Sequence, residues 1–391
     1  MKRILIILAA LIMLQTPLWA QGELGFGESE DQTLSLMERV SNIERKFKEF
    51  NVYVNFAGNG HLQQDASGAD FHSGFQARQL RLEMKGQLGD HFYYRLRHRL
   101  NRPNVALEDN LAKATDIIML GYRFNPQWLI SVGKMGTYTA GFEFDQNGIY
   151  VYQGSDINNY SDGSKVGAAI TWTPVKGHNF VLQLVNTYND KFEKEFVGIE
   201  QQGILASNHP LAVAGYWNGS MLNGIWKASA SCLRRQLAEG KGSVLTVVGN
   251  SINGNWGRVF LDYAYEHDDL DYMRFVSNEV PTFSNGQPTY LSDLSYHGLV
   301  MRGDIKVGKH LILWAEGMYQ TASCGSVREL DGYRKHYNYM AGLEFVPDPD
   351  YKIRYTLNYQ GQYYDYSDLC GLKDRSVNRI EVGILCRLKC F

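Results

Sequence analysis

The sequence has no long apolar segment beyond its first twenty residues, and this absence excludes an α-helical membrane protein. A membrane-spanning helix needs about 20 apolar residues in a row, whereas a strand of a transmembrane barrel needs only about ten residues of alternating polarity. The chain also lacks a charge imbalance, with 39 basic and 41 acidic residues. Total charge therefore indicates neither nucleic acid nor an acidic partner, and any charge selectivity must come from where the charges lie.

Cysteine and proline are scarce, with 5 and 9 residues respectively. The cysteine spacing matches no zinc motif, and no other metal-binding signature occurs, so neither a metal nor a cofactor is expected. Cys324 and Cys370 fall in loops predicted to be neighbours, where a disulfide and two free thiols are both compatible with the sequence. Tyrosine and glycine are abundant, with 25 and 39 residues, and many tyrosines suit the aromatic girdles of a membrane barrel.

The first twenty residues have the composition of an export signal. Lys2 and Arg3 precede an apolar run from Ile4 to Leu14, and Ala20 supplies a small residue for cleavage. A membrane anchor would need a longer apolar run. We therefore predict that residues 1–20 are a signal peptide and that the mature chain leaves the cytoplasm.

Residues 21–50 are predicted to be a periplasmic lead-in that ends in a helix of about residues 34–50. From Met37 to Phe50, apolar residues recur with spacings of three and four, as in a heptad seam. Two heptads are too short for a stable coiled coil alone. The helix either joins other copies within a larger trimer or packs on its own barrel, and the sequence leaves both open.

Residues 80–100 alternate between apolar and charged side chains on both sides of a turn at Gly89 and Asp90. Period-two alternation puts successive side chains on opposite faces of a strand, so this segment is predicted to be a β-hairpin. If the hairpin is symmetric about Gly89, Arg81 faces Arg97, and like charges opposite one another are destabilising. Such a cost indicates compensation by Glu83, predicted to face Arg95, or by a bound anion. The charged face carries Arg81, Glu83, Lys85, Arg95, Arg97 and Arg99.

Alternating segments recur from residue 51 to residue 390. Short turns and long loops alternate between them, as in outer-membrane barrels, and a soluble sandwich gives no reason for that polarity. We predict an all-β fold for residues 51–391, a sixteen-stranded antiparallel transmembrane β-barrel with water inside and lipid outside. The predicted strands are 51–61, 75–86, 91–100, 114–124, 128–135, 166–173, 180–187, 211–218, 225–234, 243–250, 257–267, 294–307, 311–321, 336–346, 351–361 and 377–390.

Basic residues exceed acidic ones at the predicted inward positions, which favours a path for anions. Guanidinium groups stay charged and match carboxylate or phosphate oxygens with a planar fork of donors. The alternative is an ion-paired wall without charge preference. The candidate anion path comprises Arg81, Lys85, Arg95, Arg97, Arg99, Arg302 and Arg354.

Residues 136–165 form the longest predicted insertion, and their tyrosine and asparagine content suits a surface that stacks and hydrogen-bonds. We predict that this segment folds into the barrel as a constriction, and an external flap is the alternative. The candidate constriction residues are Tyr138, Glu143, Asp145, Asn147 and Tyr150.

The sequence gives only a weak signal for a catalytic site. His267, Asp268, Asp269 and His297 lie in or beside one predicted external loop. No signature spacing supports a barrel protease or lipase, so we predict that the protein is not an enzyme.

The sequence resembles the phosphate-selective porin O and P family from its signal peptide to its closing strand. The resemblance rests on these two ends, the heptad helix, the block FQARQLRLEMKGQLGDHFYYRLRHRLNRPN at 75–104 and the segment GFEFDQN at 141–147. It implies a homotrimeric outer-membrane channel, surrounded by lipid, that passes small anions such as phosphate along a ladder of arginines. Arg95, Arg97 and Arg99 look like part of that ladder. A general or sugar-selective porin, a barrel enzyme and a partner-docking barrel remain as alternatives.

Overall fold

Sixteen antiparallel strands form one closed barrel, in which each strand pairs with its neighbours in sequence and β1 pairs with β16. The computed structural model describes residues 50–102, 113–160, 163–280, 290–348 and 352–390. The predicted signal peptide and N-terminal helix lie outside these ranges. The strands are β1 (Asn51–Gln64), β2 (His72–Leu88), β3 (Phe92–Arg99), β4 (Thr115–Asn125), β5 (Trp128–Gly136), β6 (Ser164–Val175), β7 (His178–Asn186), β8 (Leu211–Met221), β9 (Trp226–Ala238), β10 (Lys241–Gly254), β11 (Gly257–Asp268), β12 (Leu294–Val307), β13 (Leu311–Cys324), β14 (Arg334–Phe345), β15 (Ile353–Tyr366) and β16 (Arg375–Lys389).

Each of the sixteen predicted strands is confirmed. Most observed strands are longer than predicted; β15, for example, extends to Tyr366 rather than to residue 361. The extensions lie mainly at the ends that carry the long loops, where polar residues obscure the alternation. Backbone hydrogen bonds continue there because pairing needs no particular side chain.

Short helices occur in the described connections. Helices α1 (Asp156–Tyr160), α2 (Phe192–Glu195) and α3 (Phe275–Glu279) are each about one turn long. No helix within the described ranges is long and apolar enough to cross a membrane. Further 3-10 turns lie at Gly148–Tyr150, Ile199–Gln202, Leu222–Gly224, Arg328–Leu330 and Asp368–Cys370.

The connections confirm the predicted polarity of the barrel. Short connections such as 126–127, 176–177 and 255–256 lie at one end, here called the turn end. The opposite end, here called the loop end, carries long connections that include 137–163 and 269–293. One loop-end connection, between β9 and β10, is a tight hairpin.

The two faces of the wall have the reverse of a soluble protein's polarity. On β15, Arg354 and Asn358 are buried, whereas Tyr355, Leu357 and Tyr359 are exposed. Polar side chains therefore point into the lumen and apolar side chains point outward, as expected for a barrel in lipid.

The register of the β2–β3 hairpin differs from the prediction. Leu88 pairs with Phe92, so the centre of the hairpin is Asp90 rather than Gly89. The turn contains three residues, and its first, Gly89, has φ of 65°, a conformation that glycine adopts at low cost. Like charges still oppose one another at two positions, because the register places Arg81 opposite Arg99 and Lys85 opposite Arg95. Between them, Glu83 lies opposite Arg97.

Cys324 and Cys370 are buried free thiols. Of the two alternatives that the sequence left open, the structure therefore has two free thiols rather than a disulfide. The Cys324 Sγ lies 3.4 Å from the carbonyl oxygen of Ser292, and the Cys370 Sγ lies 3.1 Å from that of Ser367.

Candidate functional site

The connection between β5 and β6, described for residues 137–160 and 163, folds into the lumen and is called the inserted loop below. Its Tyr138 amide donates to the Gln183 side chain on β7 at 2.9 Å. Its Glu143 amide donates to Asp262 on β11 at 2.7 Å. Since both acceptors lie on inward faces and β11 is distant from β5 and β6 in the barrel, the inserted loop crosses the barrel interior rather than lying outside it.

Aromatic and basic side chains hold the far half of the inserted loop against β12–β15. The Tyr152 ring stacks on Trp314 with 4.6 Å between centroids, and its hydroxyl donates to Glu344 at 3.1 Å. The Arg354 guanidinium lies 4.5 Å from the centroid of the Tyr150 ring. Cation–π contacts of desolvated groups of this kind stabilise by about 2 kcal/mol.

The structure corrects the expected placement of Arg302 and Arg354. The Arg302 side chain is 2% exposed and pairs with Asp304 and Glu316 at 2.9 and 3.1 Å. The Arg354 side chain is 6% exposed and pairs with Glu344 at 2.6 Å. The alternation correctly predicted that both side chains point inward. However, the inserted loop covers them, and neighbouring carboxylates neutralise their charges.

Four arginines of β2 and β3 face the lumen and share two carboxylates. The Arg95 Nε donates to Glu83 at 2.7 Å. The Arg99 Nε donates to the Oδ1 of Asp116 at 2.7 Å. Glu83 therefore compensates the positive charge of the hairpin, which was one of the two predicted alternatives. It bonds to Arg95 rather than to Arg97, the residue directly opposite it in the register. Arg81 and Arg97 place their Nε atoms 3.2 and 3.3 Å from the Oδ2 of Asp116.

A β-bulge delivers Asp116 to this cluster. Simple alternation would place Asp116 on the outer face together with Ile118 and Leu120, which are exposed. The register of β3 with β4 shifts between Arg97 and His98 and passes over Asp116, so that this side chain points inward. Sequence reasoning missed Asp116 for this reason, and the available signal was a lone carboxylate in line with outward apolar residues.

A second β-bulge turns Arg78 inward in the same way. Simple alternation would place Arg78 on the outer face together with Leu80 and Leu82, but the β1–β2 register shifts beside it. The two Arg78 Nη atoms donate to the carbonyls of Ile149 and Val151 at 2.7 and 2.9 Å. Arg78 therefore joins β2 to the inserted loop, and the alternation pattern alone did not reveal it.

A cavity of about 470 Å³ lies between β2–β5 and the inserted loop. Arg81, Arg97 and Arg99 line it, whereas Lys85 and Arg95 lie outside its lining, nearer the turn end. Lys85 and Arg387 instead approach the Tyr53 ring, at 5.0 and 4.8 Å from its centroid. The basic lining residues are Arg78, Arg81, Arg97, Arg99, Arg102, Lys113 and Lys134, and the acidic ones are Asp116, Glu143 and Asp145.

The five predicted constriction residues all belong to the inserted loop, but only two of them line this cavity. Asp145 and Glu143 do so. Burial raises the pKa of the Glu143 carboxyl, and it accepts hydrogen bonds from Ser155 that oppose this effect. Asn147 caps the 3-10 turn that follows it through the Ile149 amide.

Tyr138 and Tyr150 are 2% and 3% exposed. They pack inside the barrel instead of presenting free rings. The Tyr138 ring lies 5.8 Å from that of Tyr216, measured between centroids.

Comparison with known proteins agrees with this architecture. The family model described as phosphate-selective porin O and P matches residues 50–386. No curated protein sequence matches this chain. The outer membrane channel DcaP of Acinetobacter baumannii is similar in structure, with a TM-score of 0.60 and 13% identity over 87% of this chain and 97% of that chain.

Two further solved structures are similar. An anion-selective porin from Comamonas acidovorans gives a TM-score of 0.56 at 11% identity, covering 87% of this chain and 99% of that chain. In-vitro folded OmpT of Vibrio cholerae, in a trimer form, gives 0.54 at 12% identity over 87% and 99%. At such identities these structures establish a shared fold and no more.

Proposed function

Because the chain belongs to the phosphate-selective porin O and P family, whose model matches residues 50–386, we propose that it is a passive, anion-preferring channel of the outer membrane. The observation that supports this preference is the unequal compensation on β2–β4. Six cations face inward there, and four of them pair with the two inward carboxylates, Glu83 and Asp116. The cations are Arg78, Arg81, Lys85, Arg95, Arg97 and Arg99.

The cavity beside this wall suits transient capture of an anion. Each guanidinium carries five N–H donors in a fixed fork, and one Asp116 carboxylate cannot satisfy those of Arg81, Arg97 and Arg99. A solute oxyanion can accept the remaining donors. Low-dielectric walls focus the resulting potential. The shared carboxylates keep binding weak enough for the solute to leave, as conduction requires.

The finer parts of the proposal are phosphate as a preferred solute, assembly as a homotrimer, and export with removal of residues 1–20. The family description supports the first, and the trimer form of the similar Vibrio cholerae protein supports the second. The charged and apolar composition of the first twenty residues supports the third. The helix predicted at about 34–50 would then extend from the turn end into the periplasm.

A conductance measurement tests the choice of solute. The purified full chain is inserted into a planar bilayer, and phosphate is added to a chloride solution. We expect phosphate to reduce the chloride current of the wild type, and Arg97→Gln combined with Arg99→Gln to weaken this block. The matched control is Arg328→Gln, which replaces an exposed arginine of the 325–333 connection. Phosphate should reduce the chloride current of this variant as much as that of the wild type. A chloride current that phosphate leaves unchanged would overturn phosphate preference.

A further inference from the structure

A second cavity, of about 460 Å³, lies at the loop end of the barrel, away from the arginines of β2 and β3. It lies where the inserted loop, residues 274–279 and strands β14–β16 meet. None of the residues that line it also lines the first cavity. Its lining includes Asp156, Arg274, Glu279, Arg334, Lys373 and Arg375.

The two carboxylates of this cavity already have partners. Arg334 bridges them, because it pairs with Asp156 and, at 3.1 Å, with Glu279. Glu279 also accepts hydrogen bonds from the hydroxyls of Tyr333 and Tyr366 at 2.7 and 2.6 Å. Neither carboxylate is therefore available to balance the remaining cations.

Three lining cations, Arg274, Lys373 and Arg375, form no salt bridge within the described part of the chain. The Arg274 Nε is buried without a hydrogen-bond partner. The Arg274 backbone has φ of 54°, a conformation unusual for a residue with a side chain. Such strain persists only where the surroundings fix it. Here the Asp271 carboxylate fixes the following turn, because it accepts from the amides of Phe275 and Ser277 at 2.9 and 2.7 Å.

Aromatic rings line the same space. Tyr160 is 45% exposed, and its ring lies 4.3 Å from that of Phe275 between centroids. The Arg375 guanidinium lies 4.4 Å from the centroid of the Tyr364 ring, an arrangement in which the ring orients the cation. Ligand sites characteristically combine apolar or aromatic walls with a few convergent polar groups.

We propose that this second cavity binds an organic anion whose carboxylate or phosphate is attached to a planar ring. The anionic group accepts hydrogen bonds from Arg274 and Arg375, and the ring packs against Tyr160. The three cations that form no salt bridge among the described residues favour an anion, and the exposed tyrosine favours one with a ring over a small inorganic ion. The proposal concerns a site separate from the anion path and does not depend on the ion preference of the channel.

Calorimetric titration of the full chain in detergent micelles tests the site with benzoate as the probe. Acetate is the match without a ring, and benzamide is the match without a charge. A detergent blank removes partitioning into micelles. We expect benzoate to bind more tightly than acetate, and benzamide to give no binding.

Variants then locate the benzoate. Arg274→Gln combined with Arg375→Gln should weaken benzoate binding at least tenfold, whereas the single control Arg328→Gln should leave it within twofold of the wild type. Arg97→Gln combined with Arg99→Gln should still bind benzoate more tightly than acetate, because the contact of the ring with Tyr160 is intact. Tyr160→Ala should remove the advantage of benzoate over acetate while acetate still binds.

Three results would overturn the proposal. They are a wild type that does not bind benzoate, unchanged binding in the Arg274 and Arg375 double variant, and loss of binding in the Arg97 and Arg99 variant instead. Failure of the channel's anion preference would be seen in bilayer potentials and would leave these titrations unaffected, so the two proposals fail separately.

Discussion

Two walls of the lumen both carry arginines, but the arginines have different partners. On β11–β15, Arg258 pairs with Asp304 at 2.8 Å and Arg354 pairs with Glu344 at 2.6 Å. On β2–β4, by contrast, Arg81, Arg97 and Arg99 share the single carboxylate of Asp116. The first wall, here called the balanced wall because its buried carboxylates are at least as numerous as its arginines, supports the inserted loop. The second wall has an excess of positive charge beside a cavity. The number of arginines therefore says less about function than the number of carboxylates available to each.

The largest effect is expected from breaking the balanced wall. Arg302→Gln should leave Asp304 and Glu316 with less compensation and lower the free energy of unfolding by about 3 kcal/mol, since removing one partner of a buried ion pair leaves the other charge uncompensated. Denaturant-induced unfolding in detergent measures this change. The matched substitution Arg97→Gln should cost much less, because it reduces repulsion among like charges. Equal losses in both variants would contradict the distinction between the walls.

An intermediate effect is expected when the shared carboxylate of the basic wall is neutralised. Asp116→Asn keeps the shape of the side chain but removes the counter-charge of three arginines, and it should lower the free energy of unfolding by about 2 kcal/mol, the size of a charge-assisted hydrogen bond. The same variant should roughly double the ratio of anion to cation permeability, because the local excess of positive charge grows. The zero-current potential in a salt gradient measures that ratio. A shift toward cations would show that Asp116 does not oppose the anion path.

The smallest effect is expected at the contact between the inserted loop and the balanced wall. Tyr152→Phe keeps the stacking on Trp314 but loses the hydrogen bond to Glu344, which should cost about 1 kcal/mol. Glu344 retains its pair with Arg354, so the loop should stay in place. Unfolding in denaturant gives the stability, and single-channel conductance reports the loop; a clear rise in conductance would mean that this hydrogen bond alone holds the loop inward.

The strands and their faces could be predicted from the sequence because alternation is a local property. The pattern of β15, with Arg354 and Asn358 inward and Tyr355 outward, is confirmed. The inward positions of Arg95, Arg97 and Arg99 follow from the same rule. Alternation shows on which face of a strand each side chain lies, and this prediction holds wherever the strand pairs regularly with its neighbours.

Pairing between strands could not be predicted in the same way. The hairpin register depends on a three-residue turn, and Arg78 and Asp116 reach the lumen only through bulges, which are properties of two strands together. The cover over Arg302 and Arg354 arises from an inserted loop whose partners lie more than a hundred residues away. The sequence therefore predicted the inward charges of regularly paired strands, but not those that bulges turn inward, nor which inward charges remain accessible.

The central claim, that the excess of cations on β2–β4 makes the channel prefer anions, is tested most directly by the zero-current potential. The wild-type chain is measured in a planar bilayer under a potassium chloride gradient, beside a variant in which Arg95, Arg97 and Arg99 are all replaced with Gln. We expect the wild-type potential to have the sign set by chloride and the variant potential to lie closer to zero. A wild-type potential with the sign set by potassium, or one that the three substitutions leave unchanged, would contradict the claim.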